Sequence, residues 1–180
     1  MNLKTQSLND LMITWRQDFH QHPELGFSEF RTSKTVSKLL KSFGLTVYEN
    51  FGKTGVLGLL QRNSNKKMIA IRADLDALPV TEKTHLRYKS KNKGVMHACG
   101  HDGHTVMLLA AAKYLAESRD FRGQVNFIFQ PAEEGLGGAL AMIEDGLFEQ
   151  FPCDRLYAMH NGPGLPVGRF AAVPGIRTAA

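Results

Sequence analysis

Nine residues near the middle of the chain, Met96-His97-Ala98-Cys99-Gly100-His101-Asp102-Gly103-His104, hold three histidines, a cysteine and an aspartate. Thiolate and imidazole are the ligands that borderline divalent metals prefer. Cys99 and His101 are two positions apart, so in extended backbone both face one site. Gly100 and Gly103 permit a tight turn beside a ligand. The segment then enters a helical pattern, which aims main-chain N–H groups at the same place. A loop with incidental histidines would explain one such residue but is a poor account of this density.

Three further signals stand just after strand-like runs. Asp74 and Asp76 follow Met68–Ile71 and would share a side in extended backbone. Glu133 and Glu134 follow the apolar run Gln124–Phe129. Adjacent carboxylates can divide labour, one binding a metal and the other moving protons. His160 follows Leu156–Met159 and precedes the turn Asn161-Gly162-Pro163-Gly164. Each signal alone has an ordinary explanation: turn-forming acids, a solvated helix start, an exposed histidine. Together, four strand-like runs ending in Asp, Cys/His, Glu and His would bring these groups to one edge of a parallel sheet. That is the layout of a metal-assisted hydrolase.

The elements that would position them read as follows. Leu8, Leu11, Met12, Trp15 and Phe19 recur at helical spacing. A second helix starts at Ser28 as N-cap, turns Val36, Leu39, Leu40 and Phe43 inward, and ends at Gly44. Strands are expected at Leu45–Tyr48, Val56–Leu60 and Met68–Ile71, the last two joined by a hairpin turn over Asn63–Lys67. Thr105–Leu115 reads as helix, Gln124–Phe129 as a strand buried on both faces, and Gly138–Ile143 as a short helix. Leu156–Met159 and Val167–Val173 complete the strands. Alternating strands and helices imply an α/β fold in layers, with no internal division over residues 1–180. Lys83, His85, Arg87, Lys89, Lys91 and Lys93 alternate strictly, which suggests an edge strand guarded by lysines, with a surface that attracts anionic ligands or acidic partners as the weaker alternative.

Composition bounds the rest. The 180 residues are 43% hydrophobic and 22% charged, ordinary for a globular chain and unlike a disordered or fibrous one. A net charge of +5 is too mild to imply nucleic acid. No apolar run approaches the ~20 residues of a spanning helix, and the N-terminus lacks a signal-peptide layout, so a cytoplasmic, non-membrane protein is expected. Cys99 and Cys153 do not suggest a disulfide framework.

The combined stretches resemble a known family. His22-Pro23-Glu24-Leu25-Gly26, Arg72 through Pro79, Met96 through Thr105, Phe129 through Glu134 and Met159-His160 are similar to the N-terminal part of the amidohydrolases related to hippurate hydrolase and the indoleacetyl-amino-acid hydrolases. These belong to the aminoacylase/carboxypeptidase-type co-catalytic metallopeptidases. The resemblance implies a three-layer αβα sandwich with a mixed central sheet. It implies two divalent ions (Zn, Mn, Co or Ni) held by Cys99, His101, Glu134 and His160, with Cys99 bridging. Glu133 is then the general base, and Asp76 orients a ligand from behind. The implied reaction is amide hydrolysis of N-acyl amino acids, hippurate among them. A cysteine-nucleophile role for Cys99 is the weaker alternative, because a metal-bound thiolate is a poor attacker.

Members of that family are about twice this length. The resemblance places a lid and dimerisation domain, the returning strands and a last histidine ligand beyond Ala180. It implies homodimers only for the longer form, and a poor catalyst or none for residues 1–180 alone. Gly175-Ile176-Arg177-Thr178 departs from the family's Gly-Pro-hydrophobic-Met at this place. The competing expectations are a truncated pseudoenzyme that binds metal without turnover, and an interaction module that keeps the scaffold.

Overall fold

The computed structural model describes residues 3–63, 67–118, 120–172 and 174–175, with side chains from residue 8 onward. The elements, in chain order, are α1 (Leu3–Gln21), α2 (Phe30–Ser42), β1 (Thr46–Phe51), β2 (Gly55–Arg62), β3 (Met68–Asp74), α3 (His101–Ser118), β4 (Gly123–Gln130), α4 (Gly138–Glu144), α5 (Leu147–Gln150) and β5 (Arg155–Ala158). They form one five-stranded sheet in the order β1-β2-β4-β3-β5. β1 and β2 are antiparallel, β2 and β4 are antiparallel, and β4, β3 and β5 are mutually parallel.

Period-two side-chain alternation divides the core between the two faces of this sheet. Val56, Ala73, Val125, Phe127 and Phe129 point to one face, where Phe19, Val36, Leu40, Val106 and Leu109 of α1, α2 and α3 cover them. Leu57, Ala70 and Ile128 point to the other, against Met142, Leu147 and Phe151 around α4 and α5. The result is the expected α/β three-layer sandwich with a mixed sheet. β4 occupies the centre because its run is buried nearly throughout, which only a central strand can satisfy. β5 lies at the edge with Leu156 and Tyr157 half exposed.

Five expectations are corrected. β2 and β3 do not form a hairpin pair, because β4 lies between them; residues 64–66 of the expected turn lie outside the described residues. Ser28 is not the N-cap of α2. The cap is Glu29, without a side-chain cap bond of its own; Glu24 instead accepts the N–H groups of Arg31 at 3.0 Å and Thr32 at 2.8 Å. Gly44, at φ +86°, ends that helix as expected.

The lysine-alternating segment is a loop of turns, since the Glu82 carboxylate accepts the Ser90 N–H and closes it. Residues 167–172 form no strand. Arg169 N–H donates to Pro166 O at 3.0 Å, and this turn stops extension. Val173 and residues 176–180 lie outside the described residues, the latter including part of the Gly-Ile-Arg-Thr segment. The fifth correction concerns the segment around Cys99. It follows no strand: Met96 forms an isolated bridge with Leu78, and the chain then enters α3 directly.

Candidate metal centre

The parallel run of β4, β3 and β5 places three carboxyl ends side by side. Asp74 is the last residue of β3, Gln130 the last of β4 and Ala158 the last of β5. Asp76, Glu133-Glu134 and His160 follow within a few residues. The fourth contribution comes from the turn before α3. Gly100 adopts φ +91°, which an L side chain resists, and His101 is the first residue of the helix. Cys99 and His101 therefore meet through a turn, not through extended backbone.

The loop after β4 is held tightly. Ala132 has φ +49° and is fully buried. Its N–H donates to Oε1 of Glu29 at 2.8 Å, and Glu29 is itself fully buried with Thr54 Oγ1 donating to its other oxygen at 2.6 Å. Gly26 permits this packing, because a Cβ there would lie 3.1 Å from Ala132 Cα. The His22–Gly26 stretch thus acts through backbone support, fixing the turn that presents both glutamates.

The geometry gathers the expected residues. Sγ of Cys99 lies 3.4 Å from Nε2 of His160. Nδ1 of His101 faces the Asp76 carbonyl at 2.9 Å and its Oδ1 at 3.2 Å. Both are acceptors, so Nδ1 carries a proton, and in the neutral imidazole Nε2 holds the lone pair. The other oxygen of Asp76 accepts the Glu134 N–H at 2.9 Å. Around His101 Nε2 stand Glu134 Oε1 at 3.8 Å, Glu133 Oε2 at 3.9 Å and Asp74 Oδ2 at 3.7 Å. Among the described residues, Cys99, His101 and Glu134 offer ligand atoms within 4.8 Å of one another, as do Asp74, His101, His104 and His160. His101 Nε2 and Glu134 Oε1 are buried without a hydrogen-bond partner. Two such buried atoms facing each other are costly unless a proton or a metal cation lies between them. The donor set fits a borderline divalent ion.

The electrostatics point the same way. Burial pushes the His101 imidazole down, but Asp76, Asp74 and Glu134 outweigh it and raise the pKa. Burial likewise opposes ionisation of Asp74, yet the His104 hydrogen bond and the nearby His101 and Arg72 hold it at about 2. Burial and the neighbouring Glu134 push the Cys99 thiol up to about 12, with Asp74 and Glu133 adding to it. The pocket is strongly negative, and without a cation Cys99 stays a thiol. This weakens the nucleophile alternative.

Two residues here had no assigned role in the sequence. His104 bonds Asp74 Oδ1 through Nδ1 at 2.7 Å, and its Nε2 meets Asn161. Position three after His101 on a helix was the available signal for His104, since i and i+3 share a face. A second buried polar cluster lies behind Asp102, which Arg16 and His20 reach at 3.3 and 2.9 Å. It ties α1 to the start of α3.

The family model for peptidase family M20/M25/M40 matches residues 70–175. The chain is 60% identical over 148 residues to a hippurate hydrolase of Campylobacter jejuni, covering 82% of this chain and 38% of that protein. It is 43% identical over 171 residues to an N-acyl-L-amino acid amidohydrolase of Geobacillus stearothermophilus, covering 94% of this chain and 46% of that protein. The Bacillus subtilis YXEP structure, described as a dinuclear metal-binding peptidase, superposes with TM-score 0.85 at 41% identity, covering 91% of this chain and 46% of that one. The chain spans less than half the length of these relatives. With both the matched model and the strand-end site in place, the chain belongs to peptidase family M20/M25/M40.

Proposed function

We propose that the chain is the metal-binding portion of a hydrolase that cleaves the amide bond of N-acyl amino acids. The observation that carries this reading is the unpartnered pair of buried atoms, His101 Nε2 and Glu134 Oε1, beside Cys99 and His160. Cys99, as a thiolate, His101, Glu134 and His160 would hold divalent metal. Zn, Mn, Co and Ni all suit such a set. A bound ion supplies Lewis acidity at the amide carbonyl and makes water acidic near neutral pH. Glu133 is 38% exposed beside that group, placed to take a proton from water and return it to the departing amine. Asp76 fixes the His101 ring and the Glu134 main chain together.

The names of the relatives support the substrate class: a hippurate hydrolase and an N-acyl-L-amino acid amidohydrolase. In this reading residues 1–180 are the N-terminal portion of the catalytic domain, and a lid, a dimer contact and a further histidine ligand come from elsewhere in a longer protein. No helix among the described residues is long and apolar enough to cross a membrane; a cytoplasmic location is part of the proposal. The test is hydrolysis of hippurate and N-acetyl amino acids by the chain loaded with each metal in turn. Metal-dependent hydrolysis, lost in Glu133→Gln, is expected, at rates below the ~1–10³ s⁻¹ of complete enzymes. Metal uptake without hydrolysis of any such amide by the longer protein would favour a pseudoenzyme scaffold instead.

A further inference from the structure

His160 stands on an exposed stretch of chain with little packing to fix its ring. Its neighbour Asn161 supplies what packing does not. The Asn161 carbonyl accepts the Nδ1–H of His160 at 2.8 Å, which leaves the Nε2 lone pair turned to Cys99. Nε2 of His104 meets Asn161 in either protonation state: without a proton it accepts the Asn161 N–H at 3.1 Å, and with one it donates to the side-chain Oδ1 at 2.6 Å. That side chain also covers Gly100, where a Cβ would approach Oδ1 to 2.7 Å.

We propose that Asn161 is a positioning residue for His160, clamping it to His104 and to the Cys99–His101 turn in one frame. The inference rests on the metal reading above. The anchor is rigid: His104 is buried on α3 and its Nδ1 bonds Asp74 at 2.7 Å. Arg72 holds Asp74 at 2.8 Å, and Gln130 holds Arg72 at 2.7 Å. The ends of β3 and β4 are thereby connected to an exposed histidine beyond β5. The His104 and His160 rings also meet, with centroids 4.5 Å apart at 63°. A group that sets a ligand's tautomer and orientation typically changes metal affinity 10–100-fold when removed.

The test is Co²⁺ titration of the 180-residue chain, read by the sulfur-to-cobalt charge-transfer band and by the ligand-field bands. Asn161→Ala keeps the main-chain bonds to His160 and His104 and removes the Oδ1 contacts that hold this segment to His104 and over Gly100; it is expected to weaken cobalt binding about tenfold or more. It should keep the sulfur band from Cys99 and alter the ligand-field bands, with the melting temperature unchanged. His104→Ala should act in the same direction, and the double variant should bind no worse than the weaker single, because both remove one clamp. If His104→Ala does not fold, Asn161→Ala alone decides. Asn161→Ala with wild-type affinity and spectrum overturns the proposal while leaving the metal reading standing. So does loss of folding in Asn161→Ala, or strictly additive losses in the double variant. A wild-type chain that takes up no cobalt overturns both.

Discussion

Oδ1 of Asp76 lies 3.2 Å from Nδ1 of His101, while the second oxygen of the same carboxylate accepts the Glu134 N–H at 2.9 Å. Asp76 is almost wholly buried, so one side chain sets the spacing between two candidate ligands. Both partners donate, and an amide in this place can accept from only one of them. Asp76→Asn should therefore turn its own amide N–H toward one of these donors and leave it unmatched, lowering stability by about 1–3 kcal/mol. Metal affinity should fall about 10–100-fold as well. Urea unfolding and metal titration of the same variant check both.

The two neighbouring glutamates should separate cleanly. Glu134→Gln removes the charge opposite His101 Nε2 and should reduce metal uptake about tenfold or more. Glu133→Gln should leave uptake unchanged and abolish hydrolysis, because it removes only the proton carrier. Equal loss of metal in both variants, measured by elemental analysis after dialysis, would contradict this division.

Glu24 is expected to matter without touching the site. It accepts two N–H groups at the start of α2 and the Thr32 hydroxyl at 2.9 Å. Glu24→Ala should cost about 0.5–2 kcal/mol, the range for a lost N-cap. Chemical denaturation reads it, and cobalt affinity should be nearly unaffected.

Much of the fold was legible because its signals are local. The apolar run of β4 and Gly44 each declare themselves within a few residues. The residue types of the candidate site were legible because Cys99, His101, Glu134 and His160 stand near element ends, which the structure brings close together. The supporting bonds were not. Glu29 reaches Ala132 across 103 positions, and His104 reaches Asn161 across 57. Periodicity carries no record of partners so far apart. The lysine-alternating loop shows the converse failure. Its period of two was real, but the Glu82 bond to Ser90 folds the segment back before any strand can form.

Acid should destabilise the metal-free protein through Asp74. Its pKa in the folded chain is about 2, against an ordinary 3.8. A depressed carboxyl contributes stability that is complete above 3.8 and is lost as pH falls through about 2. The difference corresponds to about 2 kcal/mol. Between those limits unfolding should take up protons, and Asp74→Asn should flatten that part of the stability curve. Thermal melts from pH 5 to pH 2 would show it; a curve unchanged by the substitution would contradict it.

Divalent metal uptake by the chain and by Cys99→Ser is the most direct measurement of the central claim. Equilibrium dialysis with elemental analysis gives the amount, and the sulfur-to-cobalt band gives the ligand. The wild-type chain should retain metal and show the band, while Cys99→Ser should lose the band and most of the metal. Retention of no metal by the folded wild-type chain, or a band that survives Cys99→Ser, would contradict the account.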